Sequence, residues 1–366
     1  MMNKKILGFG EVMLRLCPPE FRRLRQCLPG TLEATFGGGE ANVCASVAMF
    51  GSNAAYLTAL PANAISESFM AQIRGLGVDA SNILLKSGTR MGVYYVEAGA
   101  NQRASNVIYD REYSAISLAG PEEYDFDAAL IGVGHVHITG ITPALSEKAF
   151  LSTLELAKKA KAAGAKVSCD LNYRKKLWNW HPELKKHDLA KHCMSRIVPY
   201  VDLVIANEED AADVFGIKAG NTSVTSGRID VEGYKSVARQ IIERFDNVSQ
   251  VAITLRESIS ASHNNWGAML FDCTSDEAFL APLDGEGNYS PYEIRDIVDR
   301  VGGGDSFSAG LIHALYSDDF NAPAKAISFA VAASCLKHSI KGDFNYVTRG
   351  EVVALAGGDA SGRVKR

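Results

Sequence analysis

The sequence predicts an α/β fold: a parallel-rich central sheet with helices on both faces, and a small β-sheet lid beside it. Three observations carry this. Short apolar runs rich in β-formers recur along the chain. Helical patterns lie between them. One polar stretch with two Val/Ile/Tyr runs breaks the alternation.

The runs are KILGFGEV (5–12), KVSCDLN (166–172), VDLVIAN (201–207) and VAITLR (251–256), each read as a buried parallel strand. SEKAFLSTLELAKKAKAAG (146–164) reads as a helix, with Ser146 as N-cap and Gly164 closing its C-terminus. The exception covers about 87–117, where GVYYVE and NVIYD flank a polar, glycine-containing turn. That is a hairpin signal, and with pieces of 12–36 it forms the expected antiparallel lid. Residues 218–236 read as a surface loop before a helix, and 357–366 as a frayed tail. The whole of 1–366 is taken as a single domain.

Composition narrows the function classes. Of 366 residues, 47% are hydrophobic and 22% charged, which supplies a core and leaves an ordinary soluble surface. A formal charge of -4 gives no reason to expect nucleic-acid binding. No apolar run is long enough to span a bilayer, and the N-terminus lacks a signal-peptide pattern. The seven cysteines are scattered without Cys-x-x-Cys spacing, so they read as reduced, mostly buried thiols of a cytoplasmic protein. His135 and His137 alternate in GHVHITG, but no third ligand is at hand, and a structural role is expected.

The stretch DRVGGGDSFSAG (299–310) carries the chemistry. The first N–H groups of a helix lack intrahelical partners and sit at the positive end of its dipole. Gly302, Gly303 and Gly304 would bring them close to a bound anion. A carboxylate at that place repels an anion, so Asp305 needs a reason. It is either a general base that takes a proton from an attacking hydroxyl or a simple helix N-cap. No GxxxxGK[ST] loop is present, and GFGEVM (8–13) lacks the third glycine of a dinucleotide fingerprint. A nicotinamide dehydrogenase is therefore disfavoured.

The motif Asp299-Arg-Val-Gly-Gly-Gly-Asp305 resembles the C-terminal signature of the ribokinase-like (PfkB) carbohydrate kinases, with Arg300 where that family has Thr. FGGGEAN (36–42), leading into VCASVAMFG, resembles the family's N-terminal substrate loop. HITGITPALS (137–146), DLNYRKKLW (170–178) and KHSIKGDFNYVT (337–348) are most similar to 2-keto-3-deoxygluconate kinases. The resemblance runs over about 3–355, with insertions near 218–232 and 258–266.

The resemblance implies a ribokinase-like fold and ATP-dependent phosphorylation of the terminal hydroxyl of 2-keto-3-deoxygluconate. Asp305 is then the base and Gly302–Gly304 the anion hole. It places Gly38, Asn42, Tyr94, Tyr109, Arg111 and Arg174 around the sugar acid, with the two arginines as partners for its carboxylate. It assigns Asn207, Thr254, Arg256 and Asn345 to ATP, and gives Asp210 a water-mediated contact with Mg²⁺. Glu208 and Glu209 read equally as a solvated acidic helix start. The family's adenine-pocket Asn aligns with Val331, and the loop after Arg256 lacks the family's glycines. The family also admits a monovalent cation such as K⁺ near the anion hole. Neutral sugars such as fructose or ribose, or a nucleoside, are the neighbouring substrates. A non-catalytic sugar-acid sensor is the reading from another class. An exposed apolar lid face would favour a homodimer or higher homo-oligomer paired through the lid.

Overall fold

The first apolar run folds as β1 (Lys5–Phe9), and the chain then leaves the main sheet for β2 (Met13–Cys17) and β3 (Glu33–Gly37). The computed structural model describes residues 4–207, 209–218, 231–359 and 361. The next strands are β4 (Ala54–Leu57), β5 (Ala59–Pro61), β6 (Val78–Asp79) and β7 (Leu84–Lys86). They are followed by β8 (Gly92–Glu97), β9 (Asn106–Asp110), β10 (Val133–Thr139), β11 (Lys166–Asp170) and β12 (Leu203–Ala206). The last four are β13 (Gln250–Ser260), β14 (His263–Asp272), β15 (Glu277–Ala281) and β16 (Tyr292–Ile294).

The main sheet runs β15-β14-β13-β12-β11-β10-β1-β4-β6, with β16 beside β14. From β6 to β13 every pairing is parallel; β14, β15 and β16 pair antiparallel. Alternation along β1 explains why both faces are covered. Leu7 and Phe9 enter one apolar core, with Leu154 and Leu189 of the helices Glu147–Ala162 and Lys186–Ile197. Ile6 enters the other, with Val43, Phe307 and Ala330 of the helices Gly39–Met49, Gly303–Leu315 and Pro323–Lys337. The chain order reverses between β1 and β10. At such a reversal, helices diverge to opposite faces and leave a crevice at the strands' carboxyl ends.

The lid is a four-stranded sheet in the order β3-β2-β8-β9. The β8–β9 hairpin has the expected form, but β2 and β8 run parallel, so the lid is mixed rather than antiparallel. The chain between those two strands passes through the main sheet, and that long excursion delivers β8 in the same direction as β2. Ser146 caps its helix as expected, accepting from the N–H of Ala149 at 3.1 Å. The run at 251–256 extends into the long hairpin β13–β14, where the sequence reading had a loop. Part of the loop expected at 218–236 lies outside the described residues, and Val231–Arg244 is helix.

His135 and His137 lie inside β10 and share the Ser168 hydroxyl at 2.7 and 2.8 Å. Burial lowers both imidazoles to about 3, so both are neutral and structural. All seven cysteines are free, and five are buried. Among the described residues no helix is long and apolar enough to cross a membrane.

Candidate active site

A cleft of about 850 Å³ opens along the carboxyl ends of β11, β12 and β13 and beneath the lid. The helix Gly303–Leu315 points its N-terminus into it. Gly302 caps that helix with φ +84°, and no side chain caps it. Asp305 occupies the helix's third position, so the N-cap explanation for this acid fails. Among the described residues, no protein acceptor takes the N–H groups of Gly304 and Asp305. These unpartnered donors, with the helix dipole behind them, have the chemistry to take an anion.

Asp305 is held from the opposite loop. The Asn42 amide donates to its Oδ2 at 2.6 Å, while the Gly38 N–H donates to Asn42 Oδ1 at 3.2 Å. The second contact fixes which end of the amide meets the carboxylate. A Cβ on Gly38 would fall 2.1 Å from the Glu11 carbonyl oxygen, so only glycine permits this approach. Burial, followed by the charge of Asp343, raises Asp305 to about 6, against the pull of Asn42, Arg174 and Lys337. A carboxyl poised near neutrality suits proton abstraction from a hydroxyl.

The predicted residues come together with few exceptions. Gly38, Asn42, Tyr94, Tyr109, Arg111 and Arg174 line the cleft on the lid side. Asn207, Asp210, Thr254 and Arg256 line it on the side of β12 and β13. Gly302, Gly304 and Asp305 line it between them, whereas Gly303 is buried behind them against the His338 ring. Asn345 is corrected: it is fully buried, does not line the cleft, and spends its Oδ1 on the Val347 N–H. Val331 likewise sits in the core between helices. Glu208 lies outside the described residues.

The two arginines are not equivalent. Arg111 is buried and donates Nε to Glu11 Oε2 at 2.8 Å, with a second donation from its Nη2, so its charge is already balanced. Arg174 is exposed to the cleft and makes no ion pair among the described residues. Tyr94 and Tyr109 are cross-strand partners with ring centroids 6.3 Å apart. Tyr94 spends its hydroxyl on Asp343 Oδ2 at 2.6 Å, which leaves its ring for the cleft.

Asp210 ties two loops together. Its oxygens accept from the N–H groups of Tyr173 and Asn207, each at 3.0 Å. Asn207 Oδ1 in turn accepts from the N–H groups of Glu209 and Asp210. Sequence reasoning missed Asp170, which ends β11 and lines the cleft. Burial raises its carboxyl well above the usual range, and Asp210 and Asp305 raise it further. The signal was available: an acid at the carboxyl end of a strand read as parallel and buried. Among the described residues no three His, Cys, Asp or Glu side chains form a metal cage. Mg²⁺ bound chiefly to phosphates needs only one or two carboxylates, and Asp210 and Asp170 are two that line the cleft.

Glu40, also missed, lies beneath the site and accepts from Thr139 Oγ1 at 2.7 Å and Thr142 Oγ1 at 3.3 Å. Burial raises it to about 7. The fold thus prefers its neutral form; the stabilisation is complete below its ordinary value near 4.5 and is lost as pH rises through 7. Glu40→Gln is expected to unfold later than the parent at pH 8, by on the order of 1–3 kcal/mol, and equally at pH 4. Urea midpoints at the two pH values check this; a parent at least as stable at pH 8 contradicts it.

A family profile described as "pfkB family carbohydrate kinase" matches residues 3–345. A 2-dehydro-3-deoxygalactonokinase of Haloferax volcanii is 30% identical over 98% of the chain and 99% of its own length. A 2-dehydro-3-deoxygluconokinase of Thermoproteus tenax is 26% identical over 92% of the chain and 89% of its own length. The crystal structure of 2-dehydro-3-deoxygluconokinase from Thermotoga maritima superposes with a TM-score of 0.86 at 40% identity, covering 97% of this chain and all of that one. A fructokinase with bound ATP from Xylella fastidiosa shares the fold, with a TM-score of 0.72 at 20% identity over 97% and 98% of the two chains.

Proposed function

The chain belongs to the pfkB family of carbohydrate kinases, and from that premise we propose that it phosphorylates the terminal hydroxyl of 2-keto-3-deoxygluconate with ATP. The carrying observation is Arg174, which makes no ion pair among the described residues, in the same cleft as Asp305 and the helix N–H groups. A sugar carboxylate gives this cleft-facing guanidinium a charge-assisted partner that a neutral sugar does not. The relatives named for 2-dehydro-3-deoxy sugar-acid kinases point the same way.

In this reading Asp305 takes the proton of the terminal hydroxyl while Asn42 holds the carboxylate in place. The N–H groups of Gly304 and Asp305 receive the negative charge of the transferred phosphoryl group. Asn207, Thr254 and Arg256 face the nucleotide. Bound Mg²⁺ would neutralise phosphate charge, held by Asp210 through water and by Asp170. The Tyr94 and Tyr109 rings cover the sugar and keep water from the phosphoryl group. Copies of the chain pair through the lid, where Phe21, Leu28 and Ile108 are exposed; sedimentation as a monomer contradicts this.

The test is ADP release with Mg-ATP and 2-keto-3-deoxygluconate, with fructose and ribose as rivals. Arg174→Ala is expected to raise KM for the acid by about 10- to 100-fold, the worth of a charge-assisted contact, with a smaller change in kcat. Turnover on neutral sugars alone, or an unchanged KM in the variant, removes the acid from the proposal. Tight binding of the acid without ADP release would favour a sensor.

A further inference from the structure

The loop before the catalytic helix is fastened by two buried cations, and every oxygen of the two carboxylates they face accepts at least one hydrogen bond. Arg15, on β2 of the lid, is 3% exposed. It donates Nη2 to Asp299 Oδ2 at 2.6 Å and Nη1 to Asp343 Oδ1 at 2.7 Å. The other oxygens are also taken. Asp299 Oδ1 accepts from the Val301 N–H at 3.0 Å, and Asp299 Oδ2 accepts a second bond from the Gly342 N–H at 3.0 Å. Asp343 Oδ2 accepts from the Tyr94 hydroxyl. Lys337 is fully buried and donates its Nζ to the Ile340 carbonyl at 2.9 Å. Its Cε lies 3.2 Å from where a Gly302 Cβ would stand.

A monovalent cation near this loop needs a shell of oxygen atoms with lone pairs to spare and no fixed cation beside it. Here two acids face two fixed cations, and the oxygens nearest the loop already accept hydrogen bonds. Placing K⁺ among them would set it against a guanidinium and an ammonium in a dry site, where repulsion is strong. The residues do not fit the ion. We propose that Arg15 and Lys337 are the loop's built-in cations, so that the chain works without a monovalent cation and Arg15 couples the lid to the anion hole. Both are positioning residues. Neither lines the cleft, and both act through the loop that aims the N–H groups of Gly304 and Asp305.

The experiment compares K⁺ with tetramethylammonium at matched ionic strength, by steady-state kinetics and by thermal melting. For the parent, kcat is expected to agree within about two-fold and Tm within about 1 °C, since no K⁺ binds the folded state selectively. Lys337→Ala vacates space beside the Ile340 carbonyl and leaves the two acids under-compensated. Its kcat is expected to fall about 10- to 100-fold in tetramethylammonium, with KM for the sugar little changed. K⁺ should restore part of the loss and raise the variant's Tm. If this variant does not fold, Lys337→Gln, which keeps a donor for the Ile340 carbonyl but carries no charge, is read in the same way.

About ten-fold activation of the parent by K⁺, or a selective rise in its Tm, overturns the proposal. So do variants that match the parent in both salts, or a loss that no cation repairs. The kinetic arm rests on the kinase reading, but the melting arm does not. Absence of ADP release in every salt would defeat that reading while the melts still decide this one.

Discussion

Asp305→Asn is expected to lower kcat by about 10³- to 10⁴-fold and to leave the protein folded and more stable. The loss follows from the chemistry: an amide cannot accept the hydroxyl proton. The retained fold follows from the contacts. Asn42 presents its Nδ2 to Asp305, and an asparagine can turn its own oxygen to the same donor. The stability gain follows from the sign of the titration. Burial raises this carboxyl from 3.8 to about 6, so the fold prefers it protonated. That preference stabilises fully below the ordinary value and is lost as pH climbs through 6. At pH 8 the parent carries a half-buried charge that the variant lacks. Thermal melts at pH 8 should show the variant higher by a few degrees. The same titration shapes catalysis: kcat/KM of the parent should fall as pH drops below about 6, because the base is then protonated. A variant within ten-fold of the parent would remove Asp305 from the role of base.

What could be read beforehand depended on how far apart the partners lie in the chain. The strands of the parallel sheet announce themselves locally, because burial on both faces demands continuous apolar runs such as VDLVIA. The lid hairpin announces itself through its turn. The continuation of β13 did not, since ESIS is exposed and polar and owes its strand form to pairing with β14. Its tip explains the extra length: the Ala261 N–H donates to the Asn101 carbonyl of the lid turn at 2.7 Å. Arg300, where the family pattern has threonine, reaches the Ser260 carbonyl at 2.8 Å from the other side. Arg15 gave no signal at all, because it meets Asp299 and Asp343 across separations of 284 and 328 residues. Arg111 was read as a partner for the sugar carboxylate because Glu11, 100 residues upstream, could not be placed against it. The glycine-aspartate motif was legible because its parts are adjacent and its logic is that of a helix end. Asn345 misled because a quoted motif says nothing about which of its side chains turn inward.

The second large effect is expected at Gly302, where conformation and space act together. Its φ of +84° is costly for any residue with a Cβ, and that atom would meet the Asp343 carbonyl oxygen at 2.2 Å. The oxygen belongs to backbone whose own side chain is held by Arg15 and Tyr94, so it cannot retreat without breaking a buried ion pair. Gly302→Ala must instead displace the loop, and with it the first turn of the helix. The fold should lose about 1–3 kcal/mol, the usual cost of such a strained residue. The N–H groups of Gly304 and Asp305 would then miss the phosphoryl oxygens, and kcat should fall by about 10²- to 10³-fold. Gly304→Ala is the control for stability only, since its own N–H belongs to the proposed anion hole. A Cβ there meets nothing within 4 Å, and the position is inside the helix, so stability should hold or rise slightly. Urea denaturation of the pair isolates the strain at Gly302, and steady-state kinetics on Gly302→Ala reads the displaced N–H groups. If Gly302→Ala melts and turns over like the parent, the loop is not rigid. The anion hole would then be assembled by the bound nucleotide rather than by the fold.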